Sequence, residues 1–253
     1  MAGPHPLFDL SGKVALITGG SRGLGREMAL AFADAGADVI VSSRKADACD
    51  AVVKEIEAKG RRAAAIPAHA AKWDEMDTLA EAAWNTFGRL DILVANAGMG
   101  PLVPSHEVSE ALFDSVVGLN FKGPFRLMAN IAHRMSQPDA NDGGGGTILA
   151  TSSIASLRPT PQVVPYAGAK AALNAMVTSM AHEYGPKVRI NAIAAGPFLT
   201  DIAKAWTEEA RETTDSAAGR PGRPEEIVTS ALFLASPASS FVTGTVIRCD
   251  GGC

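Results

Sequence analysis

Between Lys13 and Val41 the chain runs from a short β-branched apolar stretch through a glycine cluster into an amphipathic pattern, then into a second apolar stretch. Val14-Ala15-Leu16-Ile17 reads as a buried strand, and Gly19-Gly20-Ser21-Arg22-Gly23-Leu24-Gly25 follows it directly. From Arg26 to Ala35 the apolar residues Met28, Ala29, Phe32 and Ala33 fall on one helical face, and Gly36 supplies the stop. Val39-Ile40-Val41 is the next strand. Strand, glycine turn, helix and strand within about 30 residues make a βαβ unit. Such a unit commits the chain to a parallel sheet covered on both faces.

The pattern repeats. Helical periodicity over Ala46–Lys59 precedes a weak strand at Arg62–Pro67; a helix at Trp73–Phe87 precedes a clear strand at Leu90–Ala95. One long helix is expected from Ser109 to about Met135, then a strand at Gly146–Ser152, a helix at Ala167–Tyr184 and a strand at Val188–Ala194. A helix with proline in its first turn, Pro224–Leu234, and a strand at Val246–Arg248 close the chain. Gln137–Gly145 and Asp201–Arg223 read as loops, the second polar and weakly helical. At 253 residues and 47% hydrophobic, one large α/β domain over 1–253 is expected.

A glycine turn between strand and helix lets backbone N–H groups approach a pyrophosphate at the positive end of the helix. The spacing here is Gly19-x-x-x-Gly23-x-Gly25, and Arg26-Glu27 stand where a triphosphate-binding loop needs Lys and then Ser or Thr. Further along, Tyr166 and Lys170 are four residues apart, so on a helix they stack on one face. An ordinary solvated pair has the same spacing. A charged amine about 4.5 Å from the phenol would favour the phenolate by roughly 4 kcal/mol, about three pKa units, which suits proton transfer near neutrality.

Taken together, these motifs resemble the short-chain dehydrogenase/reductase family. Thr18-Gly19-x-x-x-Gly23-x-Gly25 resembles its cofactor turn, and Ala95-Asn96-Ala97-Gly98 its NNAG motif. Asn120, Ser153, Tyr166 and Lys170 follow in the family's order, with Ser153 preceding Tyr166 by 13 residues. Asn191-Ala192-Ile193-Ala194-Ala195-Gly196-Pro197 resembles the family's N-x-I-x-P-G segment, with Ala195 in place of proline and a looser turn expected there. The resemblance implies a Rossmann-type doubly wound parallel sheet of about seven strands. It implies Tyr166 as acid/base, Lys170 depressing its pKa and holding the nicotinamide ribose, Ser153 holding the substrate oxygen, and Asn120 anchoring a water. By strand alternation Ser152 would point the other way. The cofactor set implied is Gly19, Ser21, Arg22, Gly23, Leu24, Gly25, Ser43, Arg44, His69, Ala70, Asn96, Ala97, Gly98, Tyr166, Lys170, Gly196, Phe198 and Thr200.

Two departures bear on the cofactor. Enzymes using NAD carry an acid at the end of the second strand; this strand ends Val41-Ser42-Ser43-Arg44-Lys45. Arg44 and Arg22 suit a 2′-phosphate, so NADP(H) is expected over NAD(H), against the alternative of a merely solvated basic loop. His69-Ala70 replaces the family's Asp-Val beside the adenine. No second ligand at metal-binding spacing accompanies His69, and no metal site is expected.

Substrate walls are expected from Met99, Gly100, Ser153, Ile154, Val163, Tyr166 and Phe198, with Ile202 and Trp206 on a lid within 198–223. Their apolar character favours a ketone, a hydrophobic alcohol or a β-ketoacyl group over a polyanion. The alternatives are an NAD-dependent alcohol dehydrogenase of the same fold and a non-catalytic dinucleotide-binding regulator. With 23 basic and 27 acidic residues, net charge −4, nothing suggests a nucleic-acid or membrane partner. Cys49, Cys249 and Cys253 form no zinc or disulfide pattern, and a cytoplasmic protein is expected. Small residues Ala171, Ala172, Ala175 and Ala181 suit close helix packing, and the resemblance implies a homotetramer, or a homodimer, through the helices at Ser109–Met135 and Ala167–Tyr184.

Overall fold

A computed structural model describes residues 5–201, 203 and 206–253. Seven parallel strands lie in the order β3-β2-β1-β4-β5-β6-β7. They are β1 (Val14–Thr18), β2 (Asp38–Ser42), β3 (Ala63–Ala65), β4 (Ile92–Ala95), β5 (Gly146–Ser153), β6 (Val188–Ala195) and β7 (Val246–Cys249). The chain winds outward from β1 to β3, returns to place β4 against the other side of β1, and winds outward again. Strand order therefore reverses between β1 and β4, and a crevice opens beyond their carboxyl ends.

Each face of the sheet holds its own core, because successive strand residues point to opposite sides. Leu16, Ile40, Leu93 and Ile148 pack with α3 (Trp73–Phe87), α5 (Gly123–Met135) and α6 (Val164–Tyr184). Ala15, Ile17, Val39, Val41 and Val94 pack with α1 (Gly23–Asp34), α2 (Ala46–Ala58) and α8 (Val228–Ala235). All residues of β1 and β2 are buried, which is why those strands read as continuous apolar runs and not as alternating ones. A short helix, α7 (Glu208–Glu212), interrupts the polar stretch after β6, capped by the Thr207 hydroxyl accepting from the Ala210 N–H at 3.2 Å.

The helix expected at Ser109–Met135 is not continuous. It runs as α4 (Glu110–Val117), a π-helical turn at Gly118–Lys122, and α5. The Gly123 N–H donates to Gly118 O, one residue beyond the α-helical partner. Pro124 follows and has no N–H to return to the preceding turn. A side-chain Cβ at Gly123 would overlap the Ala70 carbonyl, so the start of α5 lies backbone to backbone on the loop after β3. The wider turn and the close approach together swing α5 onto the sheet. In contrast, α6 is unbroken over 21 residues and begins at Val164, with Pro165 in its first turn.

Candidate active site

At the crevice the ends of β1 and β4 are stitched together by side chains. Thr18 Oγ1 accepts from the backbone N–H groups of Asn96 (3.0 Å) and Ala97 (3.2 Å). The Asn96 amide donates to Thr18 O (3.1 Å), and its Oδ1 accepts from Thr151 Oγ1 (3.1 Å) at the end of β5. Gly19 adopts φ +65°, and a Cβ there would sit 2.9 Å from Asn96 Nδ2. A Cβ at Gly25 would meet the same Nδ2 at 2.5 Å. Only glycine lets the turn, the helix start and the β4 loop close up in this way. Arg22, at the N-cap of α1, makes no side-chain cap, and Ser21 and Leu24 are partly exposed beside it. The first turn of α1 thus carries no side-chain cap on its amides.

Gly20 N donates to Ser42 O (3.2 Å), which sets the glycine turn against the end of β2. Ser43 Oγ lies 3.1 Å from Cys49 Sγ. Arg44 is exposed and forms no ion pair among the described residues. Arg22 Nη1 is 2.8 Å from Oδ2 of Asp201, which follows β6. At the end of β3 the His69 N–H donates to Glu75 Oε2 (2.6 Å), and His69 Nδ1 accepts from the Ala71 N–H (3.2 Å). That bond places the neutral imidazole's proton on Nε2. Ala70 is buried with its carbonyl against Gly123.

Ser153 is the last residue of β5 and Tyr166 lies in the first turn of α6. Burial pushes the Tyr166 phenol up, and the Ser153 hydroxyl pulls it part of the way back. Ser152 points to the other side, with Oγ 3.3 Å from Ser156 Oγ and 3.5 Å from Lys170 O. Lys170 Nζ donates to Thr151 O at 2.7 Å and lies 5.7 Å from the Tyr166 ring centre. Burial lowers the Lys170 pKa to about 7, since no ion pair holds the ammonium among the described residues. The strong depression of the phenol by a fully charged lysine, expected from the spacing, is therefore not realised in the protein alone. Spacing predicts proximity, but desolvation sets the charge.

Asn120 lies within the π turn, fully buried. Its amide donates to Met99 O (2.8 Å) and Val116 O (2.9 Å), and its Oδ1 accepts from the Met99 N–H (3.2 Å). A Cβ at Gly98 would sit 2.8 Å from Asn120 Oδ1 and 3.4 Å from Lys170 Nζ. Asn120, Gly98 and Lys170 thus meet at one point behind Tyr166.

Gly100 lies against the Tyr166 ring, Ile154 is partly buried after Ser153, and Val163 is buried where α6 begins. The loop carrying Met99 and Gly100 is tied to the one before α6 by Val103 N–H donating to Gln162 O (2.7 Å). Phe198 turns into the core against Gly222. Ala195 is not in a loosened turn: it is the last residue of β6, in register with Ser153 and Cys249. Gly196 follows, packed on Asp250. Thr200 lies against Gly23, with its Cγ2 3.4 Å from where a Cβ would be. Trp206 is partly exposed, and Ile202 lies outside the described residues.

Three positions escaped the sequence reading. Asp201 pairs with Arg22 from 179 residues away, which no local pattern signals. Ser156 Oγ donates to Ser153 O (2.5 Å) and accepts from Asn174 Nδ2 (2.8 Å). Asn174 follows Lys170 by four residues, so extending the Tyr166–Lys170 spacing by one turn would have found it.

A crevice at a strand-order switch, with a glycine turn on one side and Ser153, Tyr166 and a buried amine on the other, suits a dinucleotide and proton exchange at an oxygen. That is the frame of a nicotinamide-dependent oxidoreductase. Residues 13–211 match the short chain dehydrogenase family model, and the chain belongs to that family. It acts, as the family does, on CH–OH or C=O groups with a nicotinamide cofactor. The chain is 38% identical over 247 residues to the 7alpha-hydroxysteroid dehydrogenase of Escherichia coli K12, covering 96% of this chain and 94% of that protein. A structure of a 7 alpha-hydroxysteroid dehydrogenase complexed with NADH and 7-oxo glycochenodeoxycholic acid superposes with TM-score 0.92 at 37% identity, over 99% of this chain and 98% of that one. The 3-oxoacyl (acyl-carrier-protein) reductase of Agrobacterium tumefaciens C58 with NADP bound superposes with TM-score 0.87 at 32% identity, over 98% and 96%.

Proposed function

We propose that the protein is an NADP(H)-dependent carbonyl reductase or alcohol dehydrogenase for mostly apolar substrates, with Tyr166 exchanging the proton. The observation that carries this reading is the convergence at the crevice of Ser153 at the end of β5 with Tyr166 and Lys170 one turn apart on α6, where Lys170 Nζ donates to Thr151 O beside Ser153. Two O–H donors aimed at one substrate oxygen stabilise the negative charge that develops there as a carbonyl is reduced. Tyr166 gives its proton to that oxygen, or takes it in the reverse direction. Lys170, titrating at about 7, is suited to pass a proton near neutrality, and Asn120 holds the Met99 backbone beside it. The bound nicotinamide supplies or accepts the hydride.

The amides of Gly19 to Gly25 would hold the pyrophosphate, with Asn96, Ala97, Gly98, Gly196 and Thr200 bordering it. The relatives were solved with different cofactors, NADH in one and NADP in the other, so the residues at the end of β2 have to decide. Here they are Ser43 and Arg44, with no carboxylate to repel a 2′-phosphate. Met99, Gly100, Ile154, Val163 and Trp206 would wall the substrate, and 198–223 would act as its lid. The steroid and acyl-carrier substrates named for the relatives fit the same apolar reading.

No helix of the described residues is long and apolar enough to cross a membrane. Free Cys49, Cys249 and Cys253 suit a reducing, cytoplasmic setting. Phe113 on α4 and Phe125 on α5 are 48% and 39% exposed, and covering them favours a homotetramer or homodimer.

The test is NADPH and NADH oxidation with alicyclic ketones, aryl ketones, β-ketoacyl thioesters and sugar phosphates. Apolar ketones should be turned over with NADPH preferred, and Tyr166→Phe should lose about 10²–10⁴-fold in kcat/KM. Arg44→Ala should cut the NADPH preference by about 10–100-fold. Preference for the sugar phosphates, or full activity in Tyr166→Phe, would refute the reading.

A further inference from the structure

We infer that Asp201 is a specificity-determining residue: it competes with the 2′-phosphate of NADP(H) for Arg22, so the cofactor and the start of the lid share one guanidinium. This rests on the NADP(H) reading above. Arg22 Nη1 lies 2.8 Å from Asp201 Oδ2, and the two side chains are 69% and 39% exposed. The pair spans the crevice. Arg22 precedes Gly23, Asp201 follows Thr200, and the Thr200 methyl rests on Gly23. Asp201 directly follows Thr200, whose carbonyl accepts from the Ala203 N–H at 2.9 Å. The ion pair therefore fastens the root of the lid to the phosphate-binding turn.

The turn that carries Arg22 borders both partners: Gly23 touches Thr200 on one side, and Gly20 contacts the end of β2 on the other. The Gly20–Ser42 hydrogen bond holds its turn against the end of β2, where Ser43 and Arg44 begin the corner that would receive the 2′-phosphate. Arg44 stands at that corner already, and a third guanidinium nearby is committed: Arg26 is 2.7 Å from Glu27 and 2.5 Å from Glu55. A phosphate carries more charge than one carboxylate and takes a guanidinium in bidentate fashion, so it wins the exchange when present. NADH offers no such competitor and leaves the Arg22–Asp201 pair in place. Because the pair is exposed, it withholds Arg22 by a modest factor, about two- to fivefold in apparent affinity.

The experiment is equilibrium binding of NADPH and NADH, followed by nucleotide fluorescence, in the full-length protein. The variants are Asp201→Asn, Arg22→Ala and the double substitution. Asp201→Asn is expected to tighten NADPH about two- to fivefold and leave NADH unchanged, and this gain is expected to vanish when Arg22 is already Ala. Equal tightening of both nucleotides, no tightening, or a gain that persists without Arg22 would each overturn the competition. Arg44→Ala separates the two ideas. If it abolishes NADPH preference while Asp201→Asn does nothing, only the competition fails. If neither Arg44→Ala nor Arg22→Ala alters the preference, the NADP(H) reading fails with it.

Discussion

Helix α6 runs 21 residues without a break and carries Tyr166 and Lys170 one turn apart, while the segment from Glu110 to Met135 is broken at Gly118–Lys122 and carries Asn120 inside the break. Both deliver polar groups to the same point behind the crevice. In α6 the helix period alone lines them up, and the helix spends nothing of its backbone bonding. In the interrupted segment, the π turn aims Asn120 at Met99, and the Asn120 amide also satisfies Val116 O in the turn above. A regular helix presents residues at fixed intervals; a local change of register is needed to aim a residue off that pattern. Both are held by buried stripes, Leu173, Met176, Val177 and Met180 on α6 and Leu127, Met128, Ile131 and Met135 on α5. α5 is fixed in addition at its tip, by Gly123 against Ala70.

That difference can be broken from either side. Lys170→Met on α6 is expected to cost the most in activity, about 10² or more in kcat. It carries a second readout. The Lys170 amine has a folded-state pKa of about 7, below its ordinary value of 10.5, so between these values the unfolded chain binds more protons than the folded one. Stability of the cofactor-free protein should therefore rise from about pH 7 toward pH 10, and the substitution should flatten that rise. Thermal melts across this range check it. A wild-type slope of the opposite sign would mean that Lys170 is not a desolvated amine.

Gly123→Ala attacks the interrupted segment and leaves α6 untouched. Its new methyl meets the Ala70 carbonyl, so a loss of about 3 kcal/mol of stability is expected in urea unfolding. A near-neutral result would show that α5 can slide off the β3 loop. Asn120→Ala should have the smallest effect, about 1–3 kcal/mol from the bonds lost to Met99 and Val116, with about a tenfold drop in kcat. If Asn120→Ala kept full activity while Lys170→Met did not, the π turn would be a packing device alone.

Much of this site was legible as local pattern. The glycine turn is marked by its residues because only glycine tolerates the approach of Asn96 to Gly19 and Gly25. Tyr166 and Lys170 were readable because four-residue spacing means one helix face. Ser153 could be told from Ser152 by strand alternation, and they do point apart. The break at Asn120 was not readable. Pro124 also suits the first turn of an ordinary helix, and what it does here depends on the Gly123 contact with a loop more than 50 residues earlier. Phe198 looked like a cleft residue, yet its ring fills the core beside Gly222, a choice that apolar character does not encode.

By itself the sequence determined the order of strands and helices, the glycine turn, and the shared face of Tyr166 and Lys170, because each follows from the period of a single element. Tertiary structure decided the aim of Asn120, the partner of Arg22 and the charge of Lys170. Those depend on groups brought together from distant parts of the chain and on how much water they exclude. An amine four residues after a tyrosine has its position set by the helix, but its protonation is set by everything packed around it.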